Sequence, residues 1–285
     1  MKKIAVFIVL SFLMSMLWSC KKEIMGYEGK EGVYFSIRHN GSSTILESIW
    51  PYQPSSTVEF VRINKAEVDF PLKVMITGPV KDFDRTFQLE VNPDSTTAIL
   101  GQHYEAVQRD WTVPAGAVSV NVIVKLKRTP DLEFKDVTLG LRLIPTKDFA
   151  LSFPEWDAIP SYNAGVVVPE FDASMHMLRI NDIMVQPVVW SGSIQPGNRE
   201  SGLLGVFSKE KMNFLEEVAG VKYQDFSSTA TMPSARMNQV YKDGERVLIE
   251  RYNAKNPVLE KDGRLMWMGS VPWTSYIGIP YVAGP

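Results

Sequence analysis

The fold of the N-terminal half is decided by one stretch, Val118-Ser-Val-Asn-Val-Ile-Val-Lys-Leu126. Every second residue in it is valine or leucine, and polar residues occupy most of the positions between. Such alternation is typical of an antiparallel strand with one buried face and one face in water. The same period of two returns in other short segments, at residues 33–37, 70–76, 87–91 and 137–143.

Turn-forming residues separate these segments. Thr77-Gly78-Pro79, Asn92-Pro93-Asp94 and Pro114-Ala115-Gly116 each lie between two alternating runs. Several short strands at this spacing predict an all-β immunoglobulin-like sandwich over residues 33–165.

The second half, residues 166–285, has a mixed pattern and predicts a small α+β domain. Residues 175–185 alternate like a strand, and Lys261-Asp-Gly-Arg264 indicates a tight hairpin turn. The boundary is placed near residue 165, because the preceding segment is irregular and rich in proline.

Two helices are predicted in this second half. Ser208 is placed to N-cap the first helix, and Gly220 is placed to end it. The second runs from Pro233 to about Tyr252, although Gly244 costs it about 1 kcal/mol relative to alanine.

The composition excludes several classes of protein. The 285 residues include 45% hydrophobic and 22% charged residues, the balance of a soluble globular chain rather than a disordered or multi-span membrane protein. Lys and Arg number 30 against 32 Asp and Glu, for a net charge of −2. There is no global basic field, so we expect no nucleic-acid partner.

The N-terminus reads MKKIAVFIVLSFLMSMLWSC and ends on the only cysteine of the chain, Cys20. Its apolar run is shorter than the roughly 20 residues that a bilayer-spanning helix needs, so residues 1–19 are predicted to be a cleaved signal peptide. Leu17-Trp18-Ser19-Cys20 resembles a bacterial lipoprotein signal, which implies acylation of Cys20 and a membrane anchor. An ordinary signal peptide followed by a coincidental cysteine is the alternative.

Cleavage changes what the mature chain carries. Residues 20–32 are polar and contain glycine, and they predict a lipidated tether. Loss of Lys2 and Lys3 leaves 28 basic residues against 32 acidic ones, a net charge of −4. Acylation of Cys20 would leave no free thiol, which excludes cysteine nucleophiles and thiolate metal sites.

One part of the first half resembles Calx-beta sandwich modules. The resemblance rests on Gly101-Gln-His-Tyr104, the turn at 114–116, the valine strand and residues 128–134. It implies a sandwich fold, and Calx-beta modules of exchangers bind calcium through carboxylates. Here His103 stands where an aspartate is expected and basic residues occupy the acidic stretch, whereas calcium needs six to eight oxygen ligands. We therefore expect no calcium site.

No other metal or cofactor is expected. The histidines are isolated in sequence and have no HExxH or cysteine partner, at His39, His103 and His176.

With the second half included, the chain resembles a family of Bacteroidetes lipoproteins with this sandwich and a small C-terminal domain. His103-Tyr104, Arg128-Thr129 and Phe207-Ser-Lys-Glu-Lys211 carry the resemblance, which covers nearly all of the mature chain. Genes of that family often lie near SusC/SusD-type glycan-uptake systems. The resemblance implies an outer-membrane location, on the cell surface or the periplasmic face, and brings no catalytic residues with it.

Enzyme motifs are absent from the sequence. It contains no G-x-S-x-G, no GxxxxGK[ST] and no GxGxxG, so we expect no enzyme. A glycan hydrolase, which would need two facing carboxylates, is the less favoured class.

The aromatic residues near the C-terminus are the candidate ligand site. Trp267, Trp273 and Tyr276 are interleaved with glycine and proline, and Asn253 and Asn256 are candidate polar partners. Such rings suit stacking on a sugar or contact with a protein; packing in the core of the small domain is the alternative. The sequence thus favours a non-catalytic, lipid-anchored envelope protein associated with glycan capture or uptake. A structural component of an outer-membrane complex that binds only proteins is the rival.

Overall fold

The computed structural model describes residues 29–39, 50–156 and 169–283. The predicted signal peptide, Cys20 and residue 165 lie outside these ranges. The sandwich strands are β1 (Gly32–Phe35), β2 (Ser55–Glu59), β3 (Glu67–Thr77), β4 (Arg85–Val91), β5 (Asp110–Val113), β6 (Ser119–Lys127), β7 (Val137–Ile144), β8 (Ala150–Leu151) and β9 (Met175–Asn181).

These strands form two sheets that enclose one hydrophobic core, which confirms the predicted β-sandwich. The strand order is β6-β3-β1-β8 in the first sheet and β2-β9-β7-β4-β5 in the second. Most neighbours are antiparallel, as the alternation predicts. Two pairs at the sheet edges, β1 with β8 and β2 with β9, are parallel.

The valine stretch forms β6 and pairs with β3 along nine residues. Val122, Val124 and Leu126 are at most 1% exposed, whereas Ile123 on the opposite face is 43% exposed. Val118, the first residue of the predicted buried face, precedes the strand and is 48% exposed. The period of two therefore identified the buried face, except at its first position.

The strand Met175–Asn181 corrects the predicted division of the chain. It pairs with β7 and β2 in the five-stranded sheet, and Leu178 and Ile180 belong to the sandwich core. Assigning this strand to a C-terminal domain that starts at residue 166 was wrong. Its alternation is that of any half-buried strand, and only the pairing partner shows which sheet it completes.

The C-terminal part is mainly helical and has its own core. Its helices are α2 (Lys209–Ala219) and α3 (Ser234–Asn253), after a short α1 (Phe60–Ile63) that follows β2. A short 3-10 helix in this part covers Tyr223–Ser227; two others, in the sandwich, cover Pro93–Ser95 and Pro130–Glu133. One hairpin, β10 (Gly192–Gln195) with β11 (Arg199–Gly202), supplies its strands.

The predicted helix boundaries are confirmed. The Ser208 hydroxyl accepts a hydrogen bond from the Lys211 amide at 3.0 Å, and Gly220 ends α2 in the left-handed conformation with φ +63°. The predicted turn is confirmed as well, since the Glu260 amide donates to the Arg264 carbonyl and Gly263 has φ +83°.

The sandwich and the C-terminal part are joined by specific contacts. Val61 of α1 is 2% exposed and belongs to the C-terminal core. Beside this contact, Arg128 donates from Nε and Nη2 to both carboxylate oxygens of Asp182, the residue directly after β9, at 2.6 and 2.9 Å. Lys209 forms an ion pair with Glu133 across the same contact.

Candidate functional site

Three aromatic rings meet where α3 ends. Tyr252 stacks on Trp273, with ring centroids 4.7 Å apart and planes 26° from parallel. Tyr281 approaches Tyr252 edge-on at 6.2 Å. All three side chains are half-buried. We call Tyr252, Trp273 and Tyr281 the aromatic cluster.

Hydrogen bonds to backbone carbonyls hold the C-terminal segment, residues 254–283, which supplies two of these rings. The Trp273 indole N–H donates to the Met266 carbonyl at 3.1 Å, and the Tyr281 amide donates to the Gly263 carbonyl at 2.9 Å. Desolvation, together with the neighbouring Tyr252 phenol, raises the pKa of Tyr281 above the usual value of a tyrosine.

A buried ionic network anchors the C-terminal segment to α2 and the hairpin. The Lys211 ammonium lies 3.0 Å from Glu200 and 3.3 Å from Glu260, and all three side chains are at most 1% exposed. Arg264 donates from Nε to the other oxygen of Glu200 at 2.9 Å. Buried charges are stable only when paired in this way, so hairpin, α2 and the C-terminal segment are tied to one another.

Residue 205, beside this network, must be glycine. Its φ is +68°, and a Cβ there would lie 2.3 Å from the Glu200 carboxylate and 2.9 Å from the Lys211 ammonium. The network therefore leaves no room for a side chain at residue 205.

The C-terminal segment is fastened by Asp262. Burial alone would raise the pKa of this carboxyl, but the Gly278 amide and the Arg264 guanidinium hold it below its usual value. The Gly278 amide donates to Asp262 at 2.9 Å. The Ile277 amide donates to the Asn198 carbonyl at 2.9 Å, which fixes the segment against the hairpin.

The structure places the predicted site residues in different environments. Trp273 lies in the aromatic cluster. Trp267 packs partly against the C-terminal core, with its ring beside Gly205, and Tyr276 is 39% exposed and pairs with Arg199 of the hairpin. Among the ring contacts of the described residues, neither Trp267 nor Tyr276 joins the cluster.

The predicted polar partners lie close to the cluster in sequence. Asn253 is the last residue of α3, directly after Tyr252, and it is exposed. Asn256 is exposed too, and its backbone N–H donates to the Arg251 carbonyl. The sequence reasoning did not select Tyr252, because its helical spacing indicates a buried stripe; its position at the helix end was the available signal.

In the region that resembles a calcium module, the polar side chains contact one another and the backbone. His103 is fully buried; its Nδ1 accepts from the Ile99 amide at 2.9 Å, and its Nε2 lies 3.0 Å from Asp131. The Thr129 hydroxyl, followed by the His103 imidazole and then by Lys135, holds the pKa of Asp131 far below its usual value. Within the three described ranges, no group of three or more His, Cys, Asp or Glu could hold a metal ion.

None of the helices in the described ranges combines the length and apolarity needed to cross a bilayer.

A two-sheet β-sandwich followed by a small helical part defines the class of this protein. The chain belongs to the family described as a domain of unknown function, DUF4843, whose model matches residues 27–221. No protein with a curated description matches it.

Solved structures give distant likenesses. The apo-form CBD1 domain of Calx is 15% identical, with a TM-score of 0.34, over 54% of this chain and 97% of that one. CBD12 from CALX1.2 is 14% identical, with a TM-score of 0.33, over 53% of this chain and 43% of that one. A protein of unknown function from Bacteroides ovatus is 14% identical, with a TM-score of 0.33, over 62% of this chain and 50% of that one. Likenesses at this level say nothing about what this chain binds.

Proposed function

We propose that this chain is a non-catalytic, lipid-anchored cell-envelope protein that captures a glycan through the aromatic cluster. The observation that carries the proposal is the stack of Tyr252 on Trp273, held at the surface by a tied backbone. Rigid rings with an apolar face and polar neighbours suit the C–H face of a sugar. The exposed amide of Asn253 follows directly and offers hydrogen bonds to hydroxyl groups.

The anchor and the location are part of the same proposal. The lone cysteine follows a short apolar run, as in lipoprotein signals, and two acyl chains would hold the protein stably at a membrane. The resemblance to Bacteroidetes lipoproteins supports the outer membrane and a role beside a SusC/SusD-type glycan-uptake system. Replacement of Cys20 by alanine should abolish labelling with radioactive palmitate in cells; undiminished labelling would remove the anchor from the proposal.

The glycan part is tested by an array of polysaccharides probed with residues 21–285. Trp273→Ala and Tyr281→Ala should each weaken glycan binding by about tenfold or more, because each removes one ring of the cluster. The matched control is Tyr276→Ala, which removes an exposed ring outside the cluster and should leave binding unchanged. Thermal unfolding of each variant separates a lost contact from a lost fold. Full glycan binding by a folded Trp273→Ala variant would contradict the proposal.

A contact with an outer-membrane protein is the second candidate. It is favoured by the exposed residues Ile279 and Val282, 61% and 83% exposed, which flank Tyr281 in sequence, because apolar and aromatic residues dominate the centres of protein interfaces. Binding of a purified partner that is lost in Trp273→Ala, with no glycan bound on the array, would favour this function.

A hydrolase is less favoured. The close carboxylates Glu200 and Glu260 are both buried against Lys211, so a substrate has no access to them. Release of sugar from a polysaccharide that the protein binds would favour the hydrolase over the two binding functions.

A further inference from the structure

A cleft lies at the opposite end of α3 from the aromatic cluster. It is open to solvent and has a volume of about 520 Å³, between the start of α3 and the segments on either side of the hairpin; this volume is within the size range of small-molecule sites. Asn238, the last cleft residue on α3, is 14 positions before Tyr252, so at 1.5 Å per residue the cleft and the cluster are about 21 Å or more apart along the helix. They are separate surfaces.

The floor of the cleft is apolar. Met232 and Met237 are 1% and 4% exposed and line it from below. Their thioethers are polarizable and adapt their shape to a small apolar group. Val189, Leu203 and Pro233 complete the apolar part of the lining.

The rim of the cleft is polar and uncharged. None of its side chains takes part in a hydrogen bond among the described residues, and all are exposed except that of Ser191, which is half-buried. No ionisable side chain belongs to the described lining. An ionic ligand would find no opposite charge here, whereas a neutral ligand with hydrogen-bonding groups finds partners. The rim residues are Ser191, Thr229, Ser234 and Asn238.

From this lining we propose that the cleft binds a neutral N-acetylated sugar. The acetamido methyl group would lie on the two methionine side chains, and the acetamido N–H and C=O would pair with the Asn238 amide, which both donates and accepts. Sugar hydroxyl groups would pair with the hydroxyls of Thr229 and Ser191. The inference does not depend on the aromatic cluster, since none of its rings lines the cleft.

The test is a titration of the full-length protein in detergent, with 13C-methyl-labelled methionine, followed by NMR. N,N′-diacetylchitobiose should shift the methyl signals of Met232 and Met237, and cellobiose, which lacks acetamido groups, should bind about tenfold more weakly. Equal binding of the two sugars would overturn the acetamido assignment. Shifts confined to methionines outside the cleft would overturn the site while leaving glycan capture by the aromatic cluster intact.

Asn238→Asp provides the matched variant. The residue is exposed near the start of α3, where a carboxylate is tolerated by the helix dipole, so the fold should persist while an amide donor is lost. Diacetylchitobiose should bind about tenfold more weakly to it. Asn213→Asp, the same change at an exposed position of α2, should leave binding unchanged. Equal effects of the two variants would overturn the proposal.

Discussion

At the scale of single residues, the histidines show what burial does to a titratable group. His176 on β9 is 2% exposed, and its Nε2 lies 2.9 Å from the Ser56 hydroxyl. Desolvation lowers its pKa to about 4. His176 is therefore neutral in the folded protein near neutral pH.

This burial predicts a pH-dependent stability. An unfolded chain binds a proton at His176 near pH 6.5, and the folded chain only near pH 4, so the unfolded state holds more protons between these values. The free energy of unfolding should fall by up to about 3 kcal/mol as the pH drops from 6.5 to 4, at about 1.4 kcal/mol per pKa unit. Urea unfolding of the wild type and of His176→Gln at several pH values measures this.

The wild type and His176→Gln are compared by the slope of unfolding free energy against pH, so a difference in absolute stability between them does not affect the comparison. The glutamine variant cannot take up the proton, so its unfolding free energy should change less over this pH range. Identical slopes for the two proteins would show that His176 does not titrate as its burial implies.

At the scale of elements, Ser208 connects a helix cap to the buried ionic network. Its hydroxyl accepts from the Lys211 amide at 3.0 Å and donates to Glu260 at 2.5 Å. The sequence predicted the cap from the residue type and from the apolar stripe that follows. It contained no sign that the same hydroxyl supports a buried carboxylate 52 residues further along the chain.

Ser208→Ala should therefore cost more than an ordinary cap. Losing a cap costs about 1 kcal/mol, and a buried carboxylate oxygen left without its donor adds roughly 1–3 kcal/mol. Chemical denaturation should show a total loss of about 2–4 kcal/mol. Asn92→Ala is the comparison, because Asn92 caps an exposed 3-10 helix through the Asp94 amide and should cost about 1 kcal/mol or less. Equal losses would show that the Glu260 contact adds nothing.

Gly244 shows how packing changes the interpretation of an element. By propensity alone, glycine only weakens the middle of α3. In the structure, a Cβ at residue 244 would lie 2.7 Å from the Met268 sulfur and 3.2 Å from Leu215 of α2. The glycine therefore allows α2 and the C-terminal segment to approach the helix closely.

At the scale of the whole molecule, two neighbouring valines belong to different cores. Val58 on β2 is 1% exposed in the sandwich core, and Val61 on α1 is 2% exposed in the C-terminal core. The Gln224 side chain donates to the Val61 carbonyl, so α1 is held by the C-terminal part. A turn of helix after β2 thus joins the two cores.

This arrangement predicts that two matched substitutions speed hydrogen exchange in different parts of the molecule. Val61→Ala should speed amide hydrogen exchange mainly in α2 and in Tyr223–Ser227, since it removes apolar contacts from the C-terminal core. Val58→Ala should speed exchange mainly in β6 and β7 for the same reason. Hydrogen exchange with mass spectrometry measures both variants. Matching exchange maps would mean that the two cores open as one unit.

The parts of the fold that sequence predicted are those that depend on local pattern. The valine alternation at 118–126 identified a strand and its buried face, and the cap residues at 208 and 220 identified a helix. Strand pairing was less accessible: the alternation at 175–181 is equally compatible with a second domain, because register and partner depend on long-range contacts.

The candidate site was predicted only in part for the same reason. Trp273 was selected from its type and surroundings, and it does lie in a half-exposed cluster. Trp267 and Tyr276 were selected on the same grounds, but the folded chain places Trp267 against the C-terminal core and Tyr276 beside Arg199 of the hairpin. Tyr252 was not selected, because only the folded chain shows that the end of α3 lies against Trp273.

By itself, the sequence of this protein determined most of the longer strands, where the two longer helices begin and end, and where the lone cysteine stands. These properties follow from hydrophobic period, capping and turn chemistry, which act over a few residues. Tertiary structure decided which sheet β9 completes, which rings meet at Trp273, and that Lys211, Glu200, Glu260 and Arg264 share one buried network. The physical reason is that burial and charge pairing depend on atoms brought together from distant parts of the chain.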